Sequence, residues 1–138
     1  MSVNLSAMNQ YKTVDIRSAV ASASPHQLIS MLYDGALTSL ASAKGCIVRK
    51  EIEERAKHLN KASNIVIGLK DFLDMDKGGE IAENLNSLYE YIIIGIIEAN
   101  RDQSADKIQE MINLLLELKQ GWAAMPLEYR MANSVKGS

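Results

Sequence analysis

Few residues in this chain could carry chemistry: the candidates are two histidines, His26 and His58, and a single cysteine, Cys46. A di-iron site in a helical bundle needs inward-facing glutamates and Glu-x-x-His spacing, and no glutamate stands three residues before either histidine. Nucleophilic catalysis needs a serine or cysteine beside a positioned base, and the chain has no G-x-S-x-G motif. The sequence therefore predicts that the protein is not an enzyme and uses neither a metal nor a cofactor.

A pair of glycines, Gly78 and Gly79, is the remaining candidate for ligand chemistry, because a glycine-rich loop before a helix can bind phosphate. The pair lacks both the preceding strand and the G-K-[ST] signature of such a loop. Glycine also permits the positive φ angle with which many helices end. We therefore expect Asp74–Gly79 to form a turn between two helices.

The composition is that of one folded domain. Hydrophobic residues make up 47% of the 138 residues and charged residues 23%, which is too apolar for a disordered chain. The formal net charge is −2 at pH 7 and the basic residues are scattered, so the charge pattern gives no reason to expect nucleic-acid binding. A single cysteine permits no internal disulfide, which is typical of a reducing compartment.

No targeting or membrane segment is predicted. The N-terminus, from Met1 to Met8, has neither the basic region nor the apolar core of a secretory signal. The longest apolar run, Tyr91–Ile97, is far shorter than a helix that spans a bilayer. We expect a cytoplasmic protein without membrane insertion.

Four segments have apolar residues spaced alternately by three and four positions, which is the pattern of one helix face. They extend from Pro25 to about Val48, from Leu59 to Leu73, from Ile81 to Ala99, and from Ile108 to Trp122. The pattern predicts an all-α fold, an antiparallel up-down four-helix bundle over residues 24–125. Residues 1–23 are expected to form an N-terminal arm with a short helix, and residues 126–138 a mobile polar tail.

Two helix starts have clear signals. Ser24 can cap free backbone donors, Pro25 has no N–H to satisfy, and Gln27 can complete a capping box. Asn100–Ser104 is expected to form a short loop, in which Ser104 is the N-cap of the last helix.

The third segment carries more apolar residues than one helix face can bury. They extend around most of the helix circumference and comprise Tyr89, Tyr91, Ile93, Ile94, Ile96 and Ile97. The last segment has a similar excess at Ile112, Leu114 and Leu116. Two explanations stay open: a fully enclosed helix in a thick core, or a groove that accepts an apolar helix of another chain.

The stretch Ser24–Ala36, which reads S-P-H-Q-L-I-S-M-L-Y-D-G-A, resembles the hallmark of the FliS family of flagellar secretion chaperones. The resemblance covers most of the chain, from about Tyr11 to Trp122. The other matching motifs are Lys77–Ala82 with Asn84-Leu85, Leu88-Tyr89-x-Tyr91, Glu98-Ala99-Asn100, and the N-terminal Tyr11.

This resemblance implies a small helical chaperone that binds the C-terminal segment of flagellin in the cytoplasm. The chaperone would prevent premature polymerisation and present the subunit to a component of the flagellar type III export gate. Its mechanism would be binding and hand-off, without bond chemistry. The alternative from the residues is a structural helical bundle that self-associates as a homodimer and has no flagellin client.

We expect six residues to line the client groove, although the same side chains could belong to the internal core. They are Leu28, Leu32, Tyr33, Leu69, Leu88 and Tyr89. The N-terminal arm is expected to fold onto the groove in the absence of flagellin, and its docking residues are Met8, Tyr11 and Val14.

Two adjacent positions depart from the family pattern. Relatives commonly carry basic or polar residues where this chain has Ile94-Gly95. The departure suggests either a crossed-helix dimer or an enlarged binding surface on this helix.

Overall fold

The computed structural model describes residues 24–124, and every regular element in this range is an α-helix. The four helices are α1 (Pro25–Arg49), α2 (Ile52–Asp71), α3 (Met75–Asp102) and α4 (Ala105–Ala124). They confirm the predicted all-α four-helix bundle. Within residues 24–124, no helix combines the length and the apolarity needed to cross a membrane. The predictions for the arm, including Met8, Tyr11 and Val14, and for the tail at 126–138 lie outside the described residues.

Helix α1 begins with the predicted capping box. The Gln27 N–H donates to Ser24 Oγ over 3.1 Å, and the Ser24 N–H donates to Gln27 Oε1 over 2.9 Å. These bonds satisfy two backbone donors near the first helical turn, where Pro25 has no N–H to satisfy. The helix ends at Arg49, and the C-cap residue Lys50, with a left-handed φ of 59°, turns the chain into α2.

The start of α3 differs from the predicted turn over Asp74–Gly79. Asp74 Oδ1 accepts from the N–H groups of Asp76 and Lys77 over 3.1 and 2.9 Å, so the helix begins at Met75. Gly79 then interrupts it with φ 53° and ψ −132°, a conformation that L side chains rarely adopt. The positive φ expected of the glycine pair therefore lies one turn inside α3.

The loop between α3 and α4 is shorter than predicted. Asn100–Asp102 continue α3, and only Gln103-Ser104 separate it from α4. Asn100 is held in place by α2, because Arg55 Nε donates to its Oδ1 over 3.0 Å. Ser104 acts as the predicted cap, since the Lys107 N–H donates to its Oγ over 3.0 Å.

Each helix packs against the next along the chain, and α4 returns to pack against α1. In the polar contacts between two neighbouring helices, the residue number on the second helix falls as the residue number on the first helix rises, as antiparallel packing requires. These pairs are Asp34–Lys119, Lys44–Gln109, Arg55–Asn100, Lys70–Glu90, Tyr91–Glu110 and Glu98–Lys107. The α1/α2 and α3/α4 seams, where these helices meet, are therefore opposite edges of the bundle.

The interior is built from the apolar faces that the sequence predicts. Its most enclosed large side chains are Tyr33, Leu40, Leu59, Leu69, Ile92, Ile108, Met111 and Leu115. Full burial of one such aliphatic side chain stabilises the fold by roughly 1.5–3 kcal/mol. Helix α3 approaches α4 closely at Gly95, because a Cβ on Gly95 would overlap the side chain of Met111. Gly95 is thus buried, whereas the neighbouring Ile94 is exposed.

Candidate functional site

An open apolar cleft lies at one end of the α3/α4 seam and has a volume of about 240 Å³. Its lining residues come from three helices and are Tyr33, Ile81, Leu85, Glu117, Leu118, Gly121 and Trp122. We call it the α3/α4 cleft. A concave apolar wall with one exposed carboxylate, Glu117, is suited to receive apolar side chains of an amphipathic segment.

The cleft is open because neighbouring positions provide no cover. Gly121 has no side chain, and a Cβ built there meets no atom within 4 Å. Ile81, just after the Gly79 interruption, leaves 49% of its surface exposed. Ile81 and Leu88 share the predicted core stripe with Ile92, yet both are exposed while Ile92 is buried. The first half of α3 therefore keeps apolar surface that the bundle does not use.

Polar contacts close the other half of the α3/α4 seam. Tyr91 Oη donates to Glu110 over 2.6 Å, and Lys107 Nζ lies 3.6 Å from Glu98. The hydrogen bond raises the pKa of Tyr91 and lowers the pKa of Glu110, because it stabilises the neutral phenol and the charged carboxylate. These groups face water, so their contribution to stability is small. Polar side chains thus cover this half of the seam, whereas the cleft leaves apolar side chains open to solvent.

Trp122 borders the cleft and also borders a narrow internal gap between the helices. The other residues lining this gap are Ile29, Leu69, Phe72, Leu73, Leu85 and Tyr89. The gap measures about 10 Å³, which is at the lower limit for holding one water molecule. The indole is fixed at the end of the bundle, since Trp122 Nε1 donates to the backbone oxygen of His26 over 3.0 Å.

Two buried tyrosines connect the cleft with the internal gap. Tyr33 borders the cleft, Tyr89 borders the gap, and their hydroxyl oxygens lie 2.6 Å apart. Burial raises the pKa of Tyr33 and that of Tyr89, because an apolar interior disfavours the phenolate. Both phenols are therefore neutral at pH 7, and the pair is a structural hydrogen bond.

A second open groove of about 570 Å³ lies on the opposite edge of the bundle, between α1 and α2. Its apolar floor contains Leu32, Ile65, Gly68 and Phe72. Polar side chains complete the lining, namely Lys57, Asn60, Lys61 and Asn64. We call it the α1/α2 groove; it is wider and more polar than the α3/α4 cleft.

The structure separates the six residues predicted to line one client groove. Tyr33 borders the α3/α4 cleft, and Leu32 borders the α1/α2 groove. Leu69 and Tyr89 are buried beside the internal gap. The last two, half-buried Leu28 of α1 and exposed Leu88 of α3, line none of these three cavities.

Sequence reasoning missed most of the α3/α4 cleft, whose other apolar contributors are Ile81, Leu85, Leu118 and Trp122. One signal was available in the last helix. Gly121 precedes Trp122 near its end, and a glycine beside a large aromatic residue leaves space next to the ring. The signal from α3 was weaker, because Ile81 and Leu85 lie on the same stripe as true core residues.

In the part of the chain that the structure describes, no set of side chains is arranged as a catalytic or metal-binding site. There, no group of three or more His, Cys, Asp or Glu side chains is placed to hold a metal ion. Cys46 is buried, with Arg49 Nη2 3.8 Å from its sulfur. What residues 24–124 do present are two open apolar surfaces on opposite edges. Such a fold and site define a class: helical bundles with open apolar grooves, a type of surface that can accept another chain.

Within that class, the chain belongs to the FliS family, because the family model described as flagellar protein FliS matches residues 7–128. The chain is similar to the flagellar secretion chaperone FliSB of Pseudomonas aeruginosa, with 43% identity over 118 residues, 86% of this chain and 94% of the relative. It is also 43% identical over 118 residues to the flagellar secretion chaperone FliS of Salmonella typhimurium, covering 85% and 87% of the two chains. The relative from Vibrio cholerae is 33% identical over 123 residues. The resemblance seen in the sequence is confirmed.

Proposed function

We propose that this protein is a cytoplasmic chaperone that binds the C-terminal segment of flagellin and prevents its premature polymerisation. The names of the two relatives at 43% identity, both flagellar secretion chaperones, support this proposal. The structural observation that carries it is the α3/α4 cleft, an open apolar cavity beside a closed core. We place the first client contact there.

The physical need for such a chaperone follows from the client that the family resemblance implies. That segment is amphipathic and disordered before assembly, so its apolar stripe would self-associate unless it is covered. An interface above ~1,000 Å² can offset the ~2–5 kcal/mol needed to order such a segment. A cleft of about 240 Å³ holds only a few side chains. We therefore assign further client contact to the α1/α2 groove, the second open apolar surface.

Two glycines provide a matched test of these assignments. Gly121 borders the α3/α4 cleft, Gly68 borders the α1/α2 groove, and a Cβ at either position meets no atom within 4 Å. Gly121→Leu should fill the cleft and Gly68→Leu the groove, while both exchanges favour the helix. Calorimetric titration with a peptide of the flagellin C-terminal segment should give a 1:1 complex with the wild-type chain. Losing one buried apolar contact should weaken binding by about tenfold in Gly121→Leu.

The outcomes of this titration are distinct. If the wild-type chain does not bind the segment, or does not delay flagellin polymerisation, the proposed function is wrong. Wild-type affinity in Gly121→Leu would exclude the α3/α4 cleft, and weakening in Gly68→Leu alone would move the site to the α1/α2 groove. Thermal unfolding of both variants checks that the bundle stays folded.

Hand-off of the client to the export gate completes the proposal. Because binding is non-covalent and needs no cofactor, a component of the flagellar type III export gate can compete for the bound subunit. Adding the soluble gate component to a preformed complex should therefore transfer flagellin from the chaperone, as followed by size-exclusion chromatography. A complex that persists at saturating gate component would contradict direct hand-off.

We also propose that the N-terminal arm covers a groove until the client arrives. The arm residues concerned, Met8, Tyr11 and Val14, lie outside the described range. Deleting residues 1–23 should strengthen client binding or leave it unchanged if the arm only competes, and weaken it if the arm also holds the client. A paramagnetic tag at position 11 that broadens no signal from residues 24–124 would exclude docking.

Two exposed isoleucines favour a second candidate function, a structural bundle that self-associates. Ile94 and Ile97 of α3 leave 56% and 59% of their surfaces exposed. Apolar surface of this kind can form a homodimer contact. Sedimentation equilibrium distinguishes the candidates: a concentration-dependent dimer that Ile94→Lys abolishes, with no flagellin binding, supports self-association. A monomer at all concentrations excludes it.

A further inference from the structure

A reciprocal contact joins the beginning of α1 to the end of α4. The rings of His26 and Trp122 stack with their centroids 5.0 Å apart and an interplanar angle of 14°. Trp122 Nε1 donates to the His26 backbone oxygen, and His26 Nε2 lies 3.0 Å from the Trp122 backbone oxygen. A carbonyl oxygen only accepts hydrogen bonds, so His26 Nε2 must carry a hydrogen and donate. We call this set of contacts the His26–Trp122 clasp.

The clasp requires both properties of the histidine side chain. The last carbonyl groups of an α-helix have no partner within the helix, and the Trp122 carbonyl in the final turn of α4 is one of them. The Nε2–H group satisfies this carbonyl, while the flat imidazole covers one face of the indole. Phenylalanine could replace only the ring, and glutamine only the donor.

The clasp fixes one of the two side chains, Trp122 and Leu85, that border both the α3/α4 cleft and the internal gap. Trp122 borders the α3/α4 cleft and the internal gap, and only 5% of its surface is exposed. The adjacent Gly121 adds no side chain that would restrict the indole. Because Trp122 borders the α3/α4 cleft, an indole released from His26 would have open space on that side.

We propose that His26 is a positioning residue for client binding: through the clasp it holds the Trp122 indole against the bundle and keeps the α3/α4 cleft open. The inference rests on the proposed function, because it assigns the cleft to the flagellin segment. His26 itself makes no contact with the client; it acts through Trp122.

The experiment compares His26→Phe, which keeps the stacked ring, with His26→Gln, which keeps a donor, and with His26→Ala, which keeps neither. His58→Phe is the matched control, because His58 lies in α2 and lines none of the cavities. Trp122 is the only tryptophan of the chain, so acrylamide quenching of its fluorescence reports on this site alone. Affinity for the flagellin C-terminal peptide is measured by calorimetry in the same full-length proteins.

His26→Phe loses one net hydrogen bond, which corresponds to about a fivefold change in an equilibrium constant, and should weaken peptide binding about fivefold. His26→Gln loses the ring stacked on Trp122, a contribution of similar size, and should also weaken binding about fivefold. His26→Ala should weaken it further, and all three should increase the quenching of Trp122. His58→Phe should change neither quantity.

Wild-type affinity and wild-type quenching in the folded His26 variants would overturn the inference. A lower melting temperature with unchanged affinity and quenching would also overturn it, because His26 would then be merely structural. If one variant does not fold, the other two still decide. If the wild-type chain does not bind the peptide, the proposed function is wrong. The quenching series then still decides whether His26 fixes Trp122.

Discussion

The hydroxyl oxygens of Tyr33 and Tyr89 lie 2.6 Å apart and join α1 to α3 within the apolar core. One phenol donates to the other, and the bond offsets part of the cost of burying two hydroxyl groups. Burial raises the pKa of both phenols, so each stays protonated in the folded protein at pH values where the unfolded chain loses its protons. The pair should therefore make the free energy of unfolding decrease as the pH rises in the alkaline range.

We expect the wild-type protein to lose stability as the pH rises above the unfolded tyrosine pKa of about 10. Above that pH the unfolded state binds fewer protons than the folded state, so the free energy of unfolding falls by about 1.4 kcal/mol per pH unit for each phenol. Urea unfolding from pH 8 to 11 measures the slope. The double variant Tyr33→Phe with Tyr89→Phe should have a shallower slope, whereas the exposed control Tyr91→Phe should keep most of it. Equal slopes in all three would contradict the assignment.

At pH 7 the same pair predicts non-additive effects on stability. Tyr89→Phe leaves the Tyr33 hydroxyl buried without its partner, which should cost about 1–3 kcal/mol. Replacing both tyrosines removes both polar groups, so the double variant should be close to wild type. A double-mutant cycle by urea unfolding checks this; additive losses would show that the hydroxyl groups do not depend on each other.

Gly95 should be the least replaceable glycine of the bundle. Gly95→Ala places a methyl group where Met111 packs, and Met111 is fully buried, so the cost should be about 1–3 kcal/mol. Gly121→Ala is the control, because a Cβ there meets no atom within 4 Å. The control should be neutral or more stable by up to ~1 kcal/mol, since alanine favours helix over glycine. Similar melting temperatures for the two variants would refute the close α3–α4 contact.

The four helices could be predicted from the sequence because each carries its own local signals. The capping box of Ser24 and Gln27 and the cap at Ser104 depend only on residues three positions apart, and the structure contains both. The prediction that the loop begins at Asn100 was wrong. This polar residue is still helical, and its side chain accepts a hydrogen bond from Arg55, 45 positions away. Local signals do not contain such distant contacts.

The binding surfaces could be predicted only in part. The excess of apolar residues on the third helix was visible, but its division between core and cleft was not. Tyr89 is buried while Leu88, its neighbour in sequence, is exposed. The difference depends on the direction in which each side chain leaves the helix relative to its neighbouring helices. One sequence pattern cannot specify that direction when apolar residues surround the helix.

The hydrogen bond of Arg55 gives a prediction for the end of the bundle that lies away from the α3/α4 cleft. This arginine is buried, and its Nε donates to Asn100 Oδ1 over 3.0 Å. Asn100→Ala removes a hydrogen bond to a charged group and should cost about 1.5–3 kcal/mol. Arg101→Ala removes only an exposed ion pair with Asp102 and should cost less than ~1 kcal/mol. Thermal unfolding of Asn100→Ala and Arg101→Ala measures both losses of stability. Equal losses would show that the hydrogen bond from Arg55 to Asn100 adds no more stability than the exposed ion pair.

Nuclear magnetic resonance of the ¹⁵N-labelled chain, titrated with unlabelled flagellin C-terminal peptide, tests the central claim most directly. The account predicts the largest amide shifts, saturating at one peptide per chain, around the cleft residues Ile81, Leu85, Leu118 and Gly121. A saturating complex that leaves these four amides unshifted would contradict it.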